Sequence, residues 1–516
     1  MKHRIPLIAL FLVVCISSTF AADRPNLIFF LSDDHRADVL GCAGHPIVKT
    51  PHIDTLAAQG RRFTDAFVTT SICAASRATI FTGLVERTHG YTFGQPPISR
   101  AHIADSYPAQ LKAAGYRTGF IGKFGVKVEG GRATIDTMFD SFVPLSRRQK
   151  QLDGSTRHFT DIAGDEAIRF IASNPGDKPF CLSVSFNAAH ASDGDKKNHY
   201  PYPASEAALY KDVKMPRPKL DGGKFFDSQP EFLRESMNRD RYYWRWDTAE
   251  KYDRNMRHYF RMLSGLDRNI GRVMAELKKR DLSDNTVILF MGDNGYYMGE
   301  RGFAGKWSHY EQSLRVPLVI HDPRSKDKPG DVNSNIALNL DIAPTLLQLA
   351  NVSLPKGYQG VSITRLARTP AREGFFCEHR MNHQRIPKWE GFRGKRFVYA
   401  NYYEQKSAQE FLHDLKNDPD QLKNFATDPK YAKVLSARRA ETRRLSQQYA
   451  TASKPPAPSV DSGKFGSRHF KFGLHDLKAV TKLVGSKTTN NPDDPRRTAQ
   501  SLDARQNALA PGETSE

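Results

Sequence analysis

Continuous apolar runs punctuate this chain, and most of them end in a polar cluster. Residues 26–31 (Asn-Leu-Ile-Phe-Phe-Leu) show no alternation after the first position. That is the pattern of a strand covered on both faces, and hence of a parallel sheet. The runs at 118–122, 180–186, 287–291 and 316–320 read as strands too. Between them lie segments of helical period. Residues 50–60 begin at Thr50-Pro51, where Thr50 can cap, and stop at Gly60. Residues 74–81 carry Ala74, Ala78, Ile80 and Phe81 and stop at Gly83. Further helices are predicted at 107–114, 161–173 and 342–349. A long one is predicted at 256–279, where Phe260, Leu263, Leu266, Ile270, Val273, Met274 and Leu277 share one face. Alternating strands and helices predict an α/β fold: a large, mainly parallel sheet sandwiched by helices. Past 362 the pattern changes. Short apolar segments at 375–378, 396–400 and 410–415 predict antiparallel strands, and 431–449 a covering helix, together a smaller C-terminal α+β subdomain. Residues 203–253 are irregular, aromatic and charged, and are expected to form an insertion over the active face.

The polar clusters that follow the strands are the chemical signal. They hold Ser32-Asp33-Asp34-His35, then Lys123, then Asn187 and His190, then Gly292-Asp293-Asn294-Gly295. In an open parallel sheet the ligand crevice lies beyond the carboxyl ends of the strands, so these residues are expected to meet there. Adjacent carboxylates at the exit of a buried strand are costly unless a cation joins them; a solvated turn is the alternative reading. Cys73 opens the 74–81 helix and Arg77 follows one turn later. A thiol at a helix N-terminus beside a guanidinium suits anion binding, whereas a lone cysteine would be read as a core thiol.

Composition narrows the classes. The 516 residues carry a formal charge of +20 and a pI near 9.6, a surface that attracts polyanions. No nucleic-acid module is visible, so an anionic substrate is favoured over nucleic acid. Mean hydropathy of −0.57 argues against an integral membrane protein. Residues 1–21 combine Lys2 and Arg4 with an apolar run at 5–16 and small residues near Ala21. This reads as a signal peptide and an exported protein, periplasmic or extracellular. The expected organisation is a catalytic domain at 22–362, the subdomain at 363–451 and a mostly disordered tail at 452–516. The remaining cysteines, Cys42, Cys73, Cys181 and Cys377, are too few for a disulfide scaffold, and Cys42 and Cys181 read as core thiols. No zinc-type spacing occurs.

The motifs together resemble the formylglycine-dependent sulfatases of the alkaline-phosphatase-like superfamily. The segment Cys73-Ala74-Ala75-Ser76-Arg77, followed by Thr82-Gly83, is similar to their C-x-[P/A]-x-R signature, with Ala75 where most members have proline. The resemblance extends through Leu31-Ser32-Asp33-Asp34, through Gly115-Tyr116-Arg117-Thr118-Gly119-Phe120-Ile121-Gly122-Lys123, and from Gly292-Asp293-Asn294-Gly295 through Lys306-Trp307 to Leu318. It implies that Cys73 is oxidised to formylglycine by a maturation enzyme. It also implies that Asp33, Asp34, Asp293 and Asn294, with the modified Cys73, hold one divalent cation, usually calcium, with magnesium the alternative. One hydroxyl of the hydrated aldehyde then attacks sulfur, with Asp293 as its base, and the other expels sulfate. By the same resemblance Arg77, Lys123 and Lys306 stabilise charge, and His190 contacts sulfate and protonates the leaving oxygen. One departure stands out: many members have Lys-x-His where this chain has Lys123-Phe124-Gly125, which leaves Lys127 or another group to substitute. The expected activity is hydrolysis, outside the cytoplasm, of an O-sulfate ester on a sulfated carbohydrate, with a sulfated small molecule or glycan as the substrate partner. The alternatives are phosphate or phosphonate ester hydrolysis, and polyanion binding by a relic site.

Overall fold

The computed structural model describes residues 24–452, apart from 146–147, 151–155, 177, 196, 367–370 and 407–408. The expected signal segment and the tail beyond 452 lie outside the described residues.

The central sheet has eight strands. In chain order they are β1 (Asn26–Ser32), β2 (Arg61–Phe63), β3 (Arg117–Gly122), β4 (Ser141–Pro144), β5 (Phe180–Ser185), β6 (Thr286–Gly292), β7 (Leu318–His321) and β8 (Asp331–Asn333). Their spatial order is β8-β2-β7-β6-β1-β5-β3-β4. The block β6-β1-β5-β3-β4 is parallel throughout. The sheet is mainly parallel, as expected, and β7 is its exception, antiparallel to both β6 and β2. An apolar run reports burial on two faces but carries no sign of direction.

Strand β1 lies at the middle and is buried along its whole length. Leu27, Phe29 and Leu31 point into one core layer, with Ala74, Ala78 and Phe81 of helix α2 (Cys73–Thr82) and Tyr107 and Leu111 of α3 (Tyr107–Ala113). Ile28 and Phe30 point into the other. There they meet Ile53 and Leu56 of α1 (Pro51–Gln59), Phe159 and Ala163 of α4 (Phe159–Ala172), and Leu263 and Leu266 of a long helix. The period-2 geometry of one apolar strand therefore builds two cores. Thr50 does not cap α1 through its side chain. Buried Asp267 of the long helix takes that role, accepting from the N–H groups of His52 and Ile53 at 3.1 and 2.8 Å.

The insertion contains helices that apolar periodicity could not show. In α5 (Met237–Arg245) the buried residues are Asn238, Arg239, Asp240, Arg241 and Arg245, all polar. The long helix, α6 (Ala249–Lys279), starts earlier than expected because the Thr248 hydroxyl caps it through Lys251 N–H at 3.2 Å. Helix α7 (Ile342–Leu349) packs beside α2.

The smaller sheet is antiparallel in sequential order: β9 (Gly374–His379), β10 (Trp389–Gly394), β11 (Phe397–Tyr402) and β12 (Gln409–Asp414). Strand β10 was not anticipated; its Gly391 and Gly394 erase the β signature. Helix α8 (Ala432–Thr451) covers one face through Leu435 and Leu445. The other face buries Phe375, Trp389, Tyr402 and Phe411 against the main core. Cys181 is buried as expected, Cys42 is only half-buried, and all four described cysteines are free thiols. No helix among the described residues is long and apolar enough to cross a membrane.

Candidate active site

Sheet register brings the polar clusters together. Leu31 pairs with Ser185, Ser185 with Gly122, and Ser32 with Gly292, so β1, β3, β5 and β6 end on one level. Asp33, Lys123 and Asp293 are the next residues of their chains. The His190 segment is tied on by two backbone bonds, Asp33 N–H to Ala188 O (2.8 Å) and Ala189 N–H to Asp33 O (2.7 Å). Asp34 has a left-handed backbone, φ 51°, which Asp tolerates better than most residues. Its carbonyl accepts from the Tyr259 hydroxyl of α6 at 2.7 Å. This turn carries two consecutive carboxylates to the same side, which an extended strand forbids.

Helix α2 points its first turn at this junction. Its residues are all buried, and Gly83 closes it in the left-handed conformation (φ 65°) with its N–H on Thr79 O. Cys73 is the first helical residue, where backbone N–H groups lack intrahelical partners. Arg77, one turn on, is 1% exposed. Its Nε donates to Asp293 Oδ2 (2.8 Å) and its Nη2 to Asp33 Oδ2 (3.2 Å). Nη1 reaches Ser185 Oγ and the Lys123 carbonyl. Lys123 Nζ contacts Asp33 Oδ2, and Lys306 Nζ contacts Asp34 Oδ1. Nine residues singled out from the sequence therefore occupy one buried junction or line the cavity above it: Asp33, Asp34, Cys73, Arg77, Lys123, His190, Asp293, Asn294 and Lys306.

Electrostatics divides the carboxylates. Burial pushes Asp33 up, but Lys123, His190, Arg77 and Lys306 outweigh it and hold the group below the usual carboxylate range. Asp34 is also lowered: burial opposes ionisation, and Lys306 and His190 restore it. Asp293 is raised to about 6 by burial and by the charge of Asp33. Burial lowers His190 to about 4, so its imidazole is neutral near pH 7. Its Nδ1–H donates to Ala191 O at 2.7 Å, which leaves the lone pair on Nε2, 3.8 Å from Asp34 Oδ2.

The residues fit a cation. Asp33 Oδ1, Asp34 Oδ2 and Asn294 Oδ1 are buried acceptors without a hydrogen-bond partner. Asn294 is oriented by donating Nδ2–H to Asp34 Oδ1 (2.7 Å) and Gly295 O (2.9 Å). Ligand-capable atoms of Asp33, Asp34 and His190 lie within 4.8 Å of one another. Orphaned buried oxygens are expensive, and a hard divalent ion satisfies several at once.

Above the junction opens a cavity of about 430 Å³, floored by Cys73, Lys123, His190 and Lys306. Much of its wall comes from the insertion at 203–253, expected over the active face, and from the segment 376–389. Trp307, Met237, Met381 and Ile386 supply apolar surface, and Arg241 and His383 supply polar surface. Asn238 of α5 donates to Lys306 O (2.7 Å), and Trp389 Nε1–H to Trp307 O (2.9 Å). The Lys306 loop is thus pinned from the insertion and from the smaller sheet. Gly125 has φ 73°, and a Cβ there would lie 2.7 Å from Arg77 Cδ, so a side chain would be strained and would crowd Arg77. Lys127 lines the same cavity. His89 and His379 are buried and lowered to about 3, chiefly by desolvation, and neither lines it.

Comparison with known proteins agrees with this geometry. The Sulfatase family model matches residues 25–352. This chain belongs to the sulfatase family. A second model, N-sulphoglucosamine sulphohydrolase, C-terminal, matches residues 299–448 and so spans the smaller sheet of this sulfatase. An N-acetylglucosamine-6-O-sulfatase of Bacteroides thetaiotaomicron is 28% identical over 83% of this chain and 88% of its own length. An arylsulfatase of Clostridium perfringens is 26% identical, covering 79% and 91% respectively. A solved complex of BT4656 with its substrate, D-glucosamine-2-N,6-O-disulfate, superposes with a TM-score of 0.72 at 25% identity, covering 84% of this chain and all of that one. The sulfatase is accordingly a hydrolase of sulfuric esters.

Proposed function

We propose that the protein hydrolyses an O-sulfate ester of a carbohydrate, with Cys73 as the residue converted to formylglycine. The observation that carries this reading is the position of Cys73. It sits at the start of a buried helix, on the floor of a cavity, beside Lys123, Lys306 and His190. The hydrated aldehyde supplies a nucleophilic hydroxyl on a carbon that can later release sulfate by re-forming its carbonyl. Asp33, Asp34, Asp293 and Asn294 would hold one divalent ion. Their all-oxygen donor set favours calcium, and the ion would supply charge neutralisation to sulfate oxygens.

The chain's own groups do the rest. Arg77 bridges Asp33 and Asp293, and so fixes both carboxylates relative to position 73. Lys123 and Lys306, which line the cavity with Cys73, would offset the charge developing on sulfate. Asp293, less acidic than its neighbours, takes the proton of the attacking hydroxyl. His190 offers Nε2 to the leaving oxygen, and the negative charge of bound sulfate favours its protonated, donating form. A sugar is preferred over a simple aryl group because the relatives named above include an N-acetylglucosamine-6-O-sulfatase and a protein whose substrate is a disulfated glucosamine. The +20 charge suits an acidic glycan as well.

The test is mass spectrometry of the peptide carrying Cys73, from protein produced with a maturation enzyme. Replacement of CH2–SH by CHO lowers the mass by about 18 Da. Cys73→Ser is expected to fold and to lose sulfatase turnover. Full activity in that variant would remove Cys73 from the reaction. Turnover of a phenyl phosphate faster than the matching phenyl sulfate would reassign the ester.

A further inference from the structure

Beyond the cations at the cavity floor, α5 contributes Arg241, whose side chain is 3% exposed although it lines the cavity. Its guanidinium lies 4.6 Å from the centre of the Trp307 ring, and Trp307 follows Lys306 directly. Arg241 Nη2 meets Asp193 Oδ2 at 2.7 Å, and Arg245 engages the other oxygen of the same carboxylate. Two buried guanidiniums thus share one acid. Asp240 pairs with Arg385, and its charge also reaches Arg241. A guanidinium held on an aromatic face presents a planar fork suited to carboxylate or sulfate.

A second donor stands on the same wall. His383 Nδ1 accepts from Arg385 N–H at 3.1 Å, which places the proton of the neutral ring on Nε2. Burial, with Arg385 and Arg241 nearby, lowers its pKa and keeps it neutral. The wall between these donors and the floor is apolar, formed by Trp307, Met381 and Ile386, a surface that suits the C–H face of a pyranose.

Resting on the carbohydrate reading above, we infer that Arg241, assisted by His383, is a specificity subsite for a second anionic group, a sulfate or carboxylate, on the sugar that carries the scissile ester. The subsite binds and orients the leaving sugar and takes no part in bond breaking. Its residues come from the insertion and from the loop between β9 and β10, so its identity is independent of the segments that build the floor.

The experiment uses the matured enzyme and a panel of saccharides in matched pairs. Each pair shares one O-sulfate and differs by a second sulfate or a carboxylate; D-glucosamine 6-sulfate against D-glucosamine-2-N,6-O-disulfate is one pair. The readout is the ratio of kcat/KM within a pair, with an aryl sulfate run alongside. Wild type is expected to prefer the doubly anionic member of at least one pair by about 10- to 100-fold, the weight of one charge-assisted hydrogen-bonding group. Arg241→Met should collapse that ratio toward 1, and Arg241→Lys should restore part of it. Circular dichroism and melting temperature report whether the variants fold. No preference in wild type, or a preference that survives in folded Arg241→Met, overturns the inference. Turnover of the aryl sulfate with no turnover of any saccharide overturns the carbohydrate reading, and the inference with it.

Discussion

Metal dependence of stability follows directly from the three orphaned oxygens. Asp33 Oδ1, Asp34 Oδ2 and Asn294 Oδ1 are buried without partners, and each such atom costs on the order of 1–3 kcal/mol. A cation that ligates them binds the folded chain and not the unfolded one. At a free concentration 100 times its Kd it adds about 2.7 kcal/mol of stability. Unfolding entropy near 2.1 cal/mol/K per residue, over about 410 described residues, gives roughly 0.9 kcal/mol/K, so the melting temperature should rise by about 3 °C. The assay is thermal unfolding of chelator-stripped protein titrated with Ca2+ and, separately, Mg2+. Asn294→Ala removes one neutral ligand without changing charge. If it weakens binding about tenfold, the increment at the same ion concentration falls by about 1.4 kcal/mol, or roughly half. Comparing increments within each protein cancels any loss of basal stability in the variant. The reasoning fails if neither ion moves the wild-type transition, or if Asn294→Ala keeps the full increment.

Other outcomes can be checked separately. Lys306→Met deletes a cation that is 2% exposed and paired with Asp34, so kcat should fall about 10²- to 10³-fold in a sulfatase assay, by analogy with loss of a preorganised donor. Gly125→His should not improve turnover: the φ of 73° and the approach to Arg77 cost about 1–3 kcal/mol of stability, read by denaturant unfolding, and higher kcat in this variant would contradict the geometry. Acid should destabilise the fold through buried histidines. His413 is lowered to about 4, chiefly by burial, and its partner His309 is lowered as well. The unfolded chain then binds more protons below pH 6.5, so stability is fully present above 6.5 and declines toward pH 4. The loss is up to about 3 kcal/mol for His413 alone, measurable as denaturant midpoint against pH. His413→Gln should flatten that slope.

The chain's local pattern decided more of this protein than its irregular regions suggest. Uninterrupted apolar runs at β1, β3, β5 and β6 declare strands covered on both faces, and the polar clusters after them mark where the crevice opens. The reason is physical: burial on both faces removes polar alternation, and charged groups gather only where the strand leaves the core. The four oxygen-bearing residues at 33, 34, 293 and 294 were legible for that reason, and Cys73 and Arg77 were legible from the start of a helix and from the motif they share with sulfatases. The direction of β7 was not, because its pairing is a property of two segments and not of one. Strand β10 and helix α5 were also hidden, the first by glycines and the second because its buried face is made of arginines and an aspartate satisfied by distant partners. The walls of the cavity belong to this second class. Arg241, Trp307 and the pair His383 and Ile386 come from three distant segments of the chain, and each alone reads as an ordinary loop or helix residue. Sequence determined the floor, where chemistry demands particular residue types at strand ends. Only the tertiary structure decided the walls, because a shared surface arises from packing between elements that carry no local record of each other.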